Sequence, residues 1–169
     1  MSQTEGRNPN LRILGLAIGF IGIAEEGNND GPVIRAIQKE IFGIADHQAY
    51  CVAWIQHLVK QVEKEFEIKS KLYCSGSVLQ TYLNSLSLKV TVPMPGDLGF
   101  YKVTATTGHA VVVRKPSDAE HYTSVEGNTS KGKAGSQREG DGFYGRDRTT
   151  HSVPGWEFLG FLRAFEYNA

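Results

Sequence analysis

Apolar and polar positions follow two different periods along this chain, and the change comes near Val90. In CVAWIQHLVKQVEKEF, apolar residues stand at 51, 52, 55, 58, 59 and 62, the i, i+3, i+4, i+7 spacing of one helix face. That helix is expected to begin at or near Cys51. The apolar run at 13–24 predicts an earlier helix over about 11–26, in which Gly15, Gly19 and Gly22 lower helix propensity but permit close packing. The cluster Gly27-Asn28-Asn29-Asp30-Gly31-Pro32 ends it, because Gly and Asn tolerate the left-handed conformation of a helix terminus and Pro suits a first helical position. A second helix is predicted at 33–42, then a loop at 43–50. A short helix at 77–86 has Ser75 or Ser77 available as its cap. Residues 1–10 are polar and are expected to form a loose arm.

From Val90 onward the pattern is that of strands: KVTVP, LGFYKVTA, HAVVVRK, YTSVEGN and WEFLGFLRAFEY, separated by Pro, Gly, Asp and Ser. Helices first and strands later predict an α+β protein, with N-terminal helices packed on a mostly antiparallel sheet and residues 11–169 forming a single domain. The stretch 129–152 is dense in Gly and charge and has no hydrophobic period, so it is read as one long loop of functional interest.

Composition narrows the classes of function. The chain has 169 residues, 40% of them hydrophobic, enough for a core without staples. Lysine plus arginine balances aspartate plus glutamate, 18 against 18, which argues against a polybasic nucleic-acid binder. The run at 13–24 follows Arg7 and Arg12 as a targeting segment would, but it is too short to span a bilayer and passes without a small-residue processing site into EEGNNDGP. It is expected to be a buried helix, so neither membrane nor nucleic acid is an expected partner.

Two cysteines, Cys51 and Cys74, lie outside any CxxC pattern. A thiol attacks as its thiolate, so a catalytic cysteine needs an electropositive setting, such as a helix N-terminus with a histidine in reach. Cys51 has the first by position, and the unpaired N–H groups of the same turn could form an oxyanion hole. GHAVVV at 108–113 places His109 at the entry of a buried strand. The group that orients the imidazole is expected on the neighbouring strand, where Glu126 and Asn128 would share one face. A return of the chain between 114 and 121 would bring that face beside His109.

The order Cys51, PGDLGF at 95–100, GHAVVV at 108–113 and VEGNTS at 125–130 resembles the CHAP-domain amidohydrolases, relatives of NlpC-type and papain-like peptidases. EEGNNDGPVI near residue 30 and REGDGFYGRDR at 138–148 resemble segments of phage and prophage members, so the resemblance runs through most of the chain. It implies a papain-like CHAP fold and cleavage of an amide bond in bacterial peptidoglycan, by an amidase or an endopeptidase acting at the cell wall as a monomer. It further implies Cys51 as nucleophile, His109 as general base and later general acid, Glu126 as the residue orienting the imidazole, and Asn128 as an alternative or additional orienter. The chain departs from the common pattern in having Ala49-Tyr50 before the cysteine, where many relatives carry Pro-Trp or a glutamine. Gln48 and Tyr50 are then the nearby polar candidates for assisting an oxyanion hole.

Arg138, Tyr144, Arg146 and Arg148 in the long loop are candidates for contacts to substrate, since peptidoglycan stem peptides carry carboxylates that guanidinium groups recognise. No metal site is predicted. His47, Cys51 and His57 lie close in sequence, but six residues advance a helix by about 600° and leave Cys51 and His57 about 120° apart. No cofactor is expected, with calcium at Asn28, Asn29 and Asp30 left open. The same chemistry would suit an interbacterial amidase toxin. A catalytically silent wall-binding or phage structural module is the rival from another class, and an intact Cys, His and Glu set argues against it.

Overall fold

The computed structural model describes residues 8–129 and 140–166. Four α-helices precede six strands: α1 (Pro9–Ile18), α2 (Pro32–Phe42), α3 (Cys51–Phe66), α4 (Val78–Leu83), then β1 (Lys89–Val90), β2 (Leu98–Lys102), β3 (Gly108–Pro116), β4 (His121–Thr129), β5 (Gly142–Thr149) and β6 (Glu157–Leu162). The strands form one sheet in the order β1-β6-β2-β3-β4-β5, antiparallel in every pair. The chain is therefore α+β with an antiparallel sheet, as the switch of period implies.

Helix α3 follows its sequence pattern closely and is the centre of the molecule. Residues from Cys51 to Gln56 are all buried, as are Leu58, Val59 and Val62, because α1, α2 and the sheet surround the first half of the helix. Burying side chains the size of Trp54, Ile55 or Leu58 contributes about 1.5–3 kcal/mol each. On the helix side of the sheet they meet Leu98, Phe100, Ala110, Val112, Val125, Phe143 and Leu162. The alternate residues Tyr101, Val111, Val113, Tyr122 and Phe161 form a smaller core on the opposite face, with Trp156 and Phe158 against it.

The expected strand KVTVP is reduced to Lys89–Val90, the expected strand WEFLGFLRAFEY ends at Leu162, the helix expected at 77–86 ends at Leu83, and three segments depart further. Helix α1 stops at Ile18, eight residues before 26, and Gly22 adopts φ 94°, which a helix does not permit. The chain then lies along the start of β5: Gly22 donates to the Phe143 carbonyl at 3.0 Å, Phe143 to Ile23 at 3.0 Å, and Glu25 to Asp141 at 2.7 Å. Within 19–24, Phe20 and Ile23 are half-buried on the core, Phe20 against Trp54 and Phe143, while Ile21 and Ala24 are exposed, so the apolar run is not one face of a continued helix. Residues 8–10, expected in the loose arm, instead start α1. The Asn8 side chain accepts from the N–H groups of Asn10 and Leu11, and Asn10 is buried. Finally, the long loop expected at 129–152 contains β5, paired with β4 from His121↔Thr149 to Thr129↔Gly142.

The PGDLGF motif is structural. Gly96 has φ 92°, and a Cβ built there would lie 1.9 Å from the Asn10 carbonyl oxygen, so the turn and the start of α1 require glycine. Asp97 is buried and holds the Arg163 guanidinium through both carboxylate oxygens at 2.9 Å. The Val113 N–H of β3 donates to the Asp97 carbonyl at 2.8 Å, and the Gly96 N–H donates to the Val113 carbonyl at 2.9 Å. The turn thus joins β2, β3 and the segment after β6 before Leu98 enters the sheet.

Candidate active site

Cys51 is the first residue of α3, and Tyr50 before it provides no side-chain cap. The thiol is 2% exposed. Burial alone would raise its pKa, but the His109 imidazole and the backbone N–H groups of Ala110 and Val52 favour the thiolate more, and the net displacement is downward. His109 shows the complementary behaviour. Burial disfavours its charged form, yet Cys51 and Glu126 together raise its pKa. Both displacements run in the direction that favours a thiolate–imidazolium pair.

The imidazole is held from its other side. His109 Nε2 lies 2.9 Å from Glu126 Oε2, with both side chains fully buried. Nδ1 is buried and makes no hydrogen bond of ordinary geometry among the described residues, which leaves it open to the Cys51 thiol, whose proximity raises the imidazole pKa. The Trp156 ring packs edge-on against the imidazole, centroids 5.3 Å apart.

Glu126 has four donors around it. Besides His109, the Ser124 hydroxyl donates to Oε1, Arg148 Nε donates to Oε1 at 2.7 Å, and Arg148 Nη2 donates to Oε2. Burial would raise the pKa of this carboxyl, but Arg148 and then His109 outweigh it and hold it far below the usual carboxylate range. The Arg148 guanidinium lies 4.7 Å from the Trp156 ring centre and 5.8 Å from that of Tyr101. It is nearly as buried as the carboxylate it meets, with 11% of its side chain exposed.

Of the residues singled out in the sequence, Cys51, His109 and Glu126 meet. The others do not join them in the expected way. Asn128 was expected to share the Glu126 face, but the β4–β5 register shifts between Gly127 and Thr129 and Asn128 adopts φ 58°. Glu126, and not Asn128, bonds to His109. The Asn128 amide is buried, and neither Oδ1 nor Nδ2 has a hydrogen-bond partner among the described residues. Tyr50 is unsuited as an oxyanion donor, because its single O–H donates to Glu25 Oε1 at 3.0 Å. Burial and the Glu25 carboxylate push that phenol far above its ordinary pKa. Gln48 is exposed and its amide donates to Asp46 at 2.6 Å, away from the thiol. The donors beside Cys51 are therefore backbone N–H groups, those of Val52 and Ala110.

Tyr144 and Arg146 lie on β5, not on a loop; Arg138 lies outside the described residues. Tyr144 bonds to Asp141, and Arg146 is close enough to Arg148 and Glu126 to feel both charges. Arg148, grouped in sequence with the solvated loop, instead meets Glu126.

Cys74 is a free, exposed thiol whose pKa burial raises, so the activated thiol is Cys51, which is also free. Among the described residues no three His, Cys, Asp or Glu side chains gather as a metal would require. His47 bonds to the Asn28 carbonyl, His57 to Glu40, and Asp30 to Gly31 and Arg35. No helix among the described residues is long and apolar enough to cross a membrane.

A buried thiol, an imidazole held from behind and backbone N–H groups beside the sulfur are the kinds of group that acyl transfer uses. Compared with protein-family models, with curated proteins and with solved structures, the chain matches none.

Proposed function

We propose that this chain is a papain-like cysteine amidohydrolase of the CHAP type that cleaves an amide bond in bacterial peptidoglycan. The buried chain of contacts from the Cys51 thiol through His109 to Glu126 carries the chemical half of this reading. The ordered motifs around Cys51, PGDLGF, GHAVVV and VEGNTS carry the substrate half.

In the proposed reaction the Cys51 thiolate attacks the amide carbonyl carbon, and the carbonyl π electrons move to oxygen, where backbone N–H groups at the start of α3 stabilise the charge. The C–N bond then breaks as His109, carrying the proton taken from the thiol, protonates the departing amine. Water enters, His109 Nδ1 removes its proton, and the thioester is hydrolysed to a carboxylic acid with return of the proton to sulfur. Glu126 takes no proton; it stabilises the imidazolium and keeps Nδ1 turned towards sulfur.

The test is incubation of the purified protein and of Cys51→Ala with peptidoglycan, followed by mass spectrometry of the released fragments. Wild type is expected to release fragments with a new amine and a new carboxyl terminus, and Cys51→Ala none. Equal activity of the two proteins, or no release by wild type, overturns the proposal. The masses also identify the bond, separating an N-acetylmuramoyl-L-alanine amidase from an endopeptidase.

A further inference from the structure

We propose that Arg148 is a positioning residue of this site, an inference that rests on the cysteine-hydrolase reading: its fork across both Glu126 oxygens keeps that carboxylate a pure hydrogen-bond acceptor and so fixes the tautomer of His109. The geometry leaves the fork little freedom. Nε and Nη2 each meet a different oxygen, and the faces of Trp156 and Tyr101 close over the guanidinium.

The need for such a residue follows from burial. A carboxyl removed from water is driven to its neutral form unless a charge opposes this. Of the groups around Glu126, Ser124 on β4 is neutral, and Tyr101 on β2 and Tyr122 on β4 are phenols that remain protonated. His109 on β3 is charged in only part of the catalytic cycle, when it holds the proton from Cys51 on α3. Arg146 on β5 acts from further away and is partly exposed. Among the described residues Arg148 alone combines direct contact with a charge that does not titrate in proteins.

If Glu126 took up a proton, its O–H would donate to His109 Nε2. The neutral imidazole would then carry its own hydrogen on Nδ1, facing the sulfur, and could not accept the thiol proton. Arg148 prevents this reversal through its bonds to Glu126. Its positive charge also compensates Glu126, so that the Cys51–His109 pair ionises without excess negative charge beside it.

The test reads the thiol directly, by the pH dependence of Cys51 alkylation with iodoacetamide in wild type, Arg148→Met and Arg148→Lys, resolved by peptide mass with Cys74 as internal control. In Arg148→Met the Cys51 midpoint is expected to rise by about one pH unit, through loss of a nearby cation and protonation of Glu126. Arg148→Lys is expected to return the midpoint towards wild type, since the charge is kept, and the Cys74 profile to stay put in all three. A role in packing alone would lower the amount of reactive protein without moving the midpoint. An unchanged midpoint in Arg148→Met, or an equal displacement in Arg148→Lys, overturns the proposal. Should Arg148→Met fail to fold, carbon NMR of the wild-type Glu126 carboxyl decides: no titration step is expected down to about pH 3, and a step at ordinary carboxylate values of about 4.3 overturns the proposal. Alkylation needs no cell-wall substrate, so a wild type that cut no peptidoglycan would sink the hydrolase reading and leave this result intact.

Discussion

His109 Nε2 and Glu126 Oε2 lie 2.9 Å apart across neighbouring antiparallel strands, with no exposed surface on either side chain. Glu126→Gln keeps the shape but removes the charge that stabilises the imidazolium and faces Arg148. Activity on peptidoglycan is expected to fall by about 10²–10⁴-fold. Stability should fall as well, by about 3–5 kcal/mol, because a buried guanidinium loses its counter-charge. Fragment release and urea denaturation of the same variant check both effects.

The pH profile of the proposed reaction follows from the two displaced groups. In that reaction the Cys51 thiolate is the attacking group, so activity should rise as pH passes through the lowered thiol pKa. It also requires a proton on His109 for the leaving amine, so it should fall as pH passes through the raised imidazole pKa. The active window is thus expected to be broader on both sides than free cysteine and histidine would give. Initial rates measured across the acid and alkaline limbs test this, and a window bounded by the ordinary values would contradict it.

Acid stability has a separate origin in Glu126. Its folded pKa is depressed, so the stability it contributes is fully present above its unfolded value of about 4.3 and is lost as pH falls towards the folded pKa. Urea midpoints should therefore drop in moving from neutral pH to about pH 3, and the part of the drop due to this group should vanish in Glu126→Gln.

Tyr50→Phe separates a structural hydroxyl from a catalytic one. Removing the bond to Glu25 is expected to cost about 1 kcal/mol of stability. Peptidoglycan cleavage should fall less than about tenfold, whereas loss of an oxyanion donor would cost about 10²–10³-fold. A loss in that larger range would return Tyr50 to the oxyanion hole.

Gly96→Ala tests the PGDLGF turn. The substitution forces a side chain into φ 92° and against the Asn10 carbonyl, at a cost of about 1–3 kcal/mol for the backbone alone. Thermal unfolding should show a lower Tm, with catalytic rate per folded molecule preserved. A Tm equal to wild type would mean that the start of α1 yields easily.

Those elements were legible in the sequence whose residues face the core in a regular period. Helix α3 and strands β3 and β4 are of this kind, and with them came Cys51, His109 and Glu126. Strand β5 was not legible, because Arg148 occupies an inward position. Its partner is a carboxylate, so the strand shows charge where the hydrophobic pattern demands an apolar residue. The alternation Arg146, Asp147, Arg148 between Gly142 and Thr149 was the available signal, since a buried Glu126 needs a cation. Helix α1 ends sooner than the apolar run implies for the opposite reason: Phe20 and Ile23 pack on the core from outside any helix. The bulge at Asn128 has its signal in the pair Gly127-Asn128, since Gly inside a strand pattern marks a bulge and Asn tolerates the left-handed conformation.

The pairing of residues 22–25 with the start of β5 bears on solubility. A β-sheet margin with free N–H and C=O groups is a template on which another copy can add a strand. Here the chain covers the first part of that margin with its own backbone, and the rest of β5 carries Arg146 and Asp147, charges that discourage intermolecular addition. Loosening the segment after α1 would therefore uncover a sticky border close to Glu126, and self-association could remove the protein from solution before any loss of its chemistry was measured.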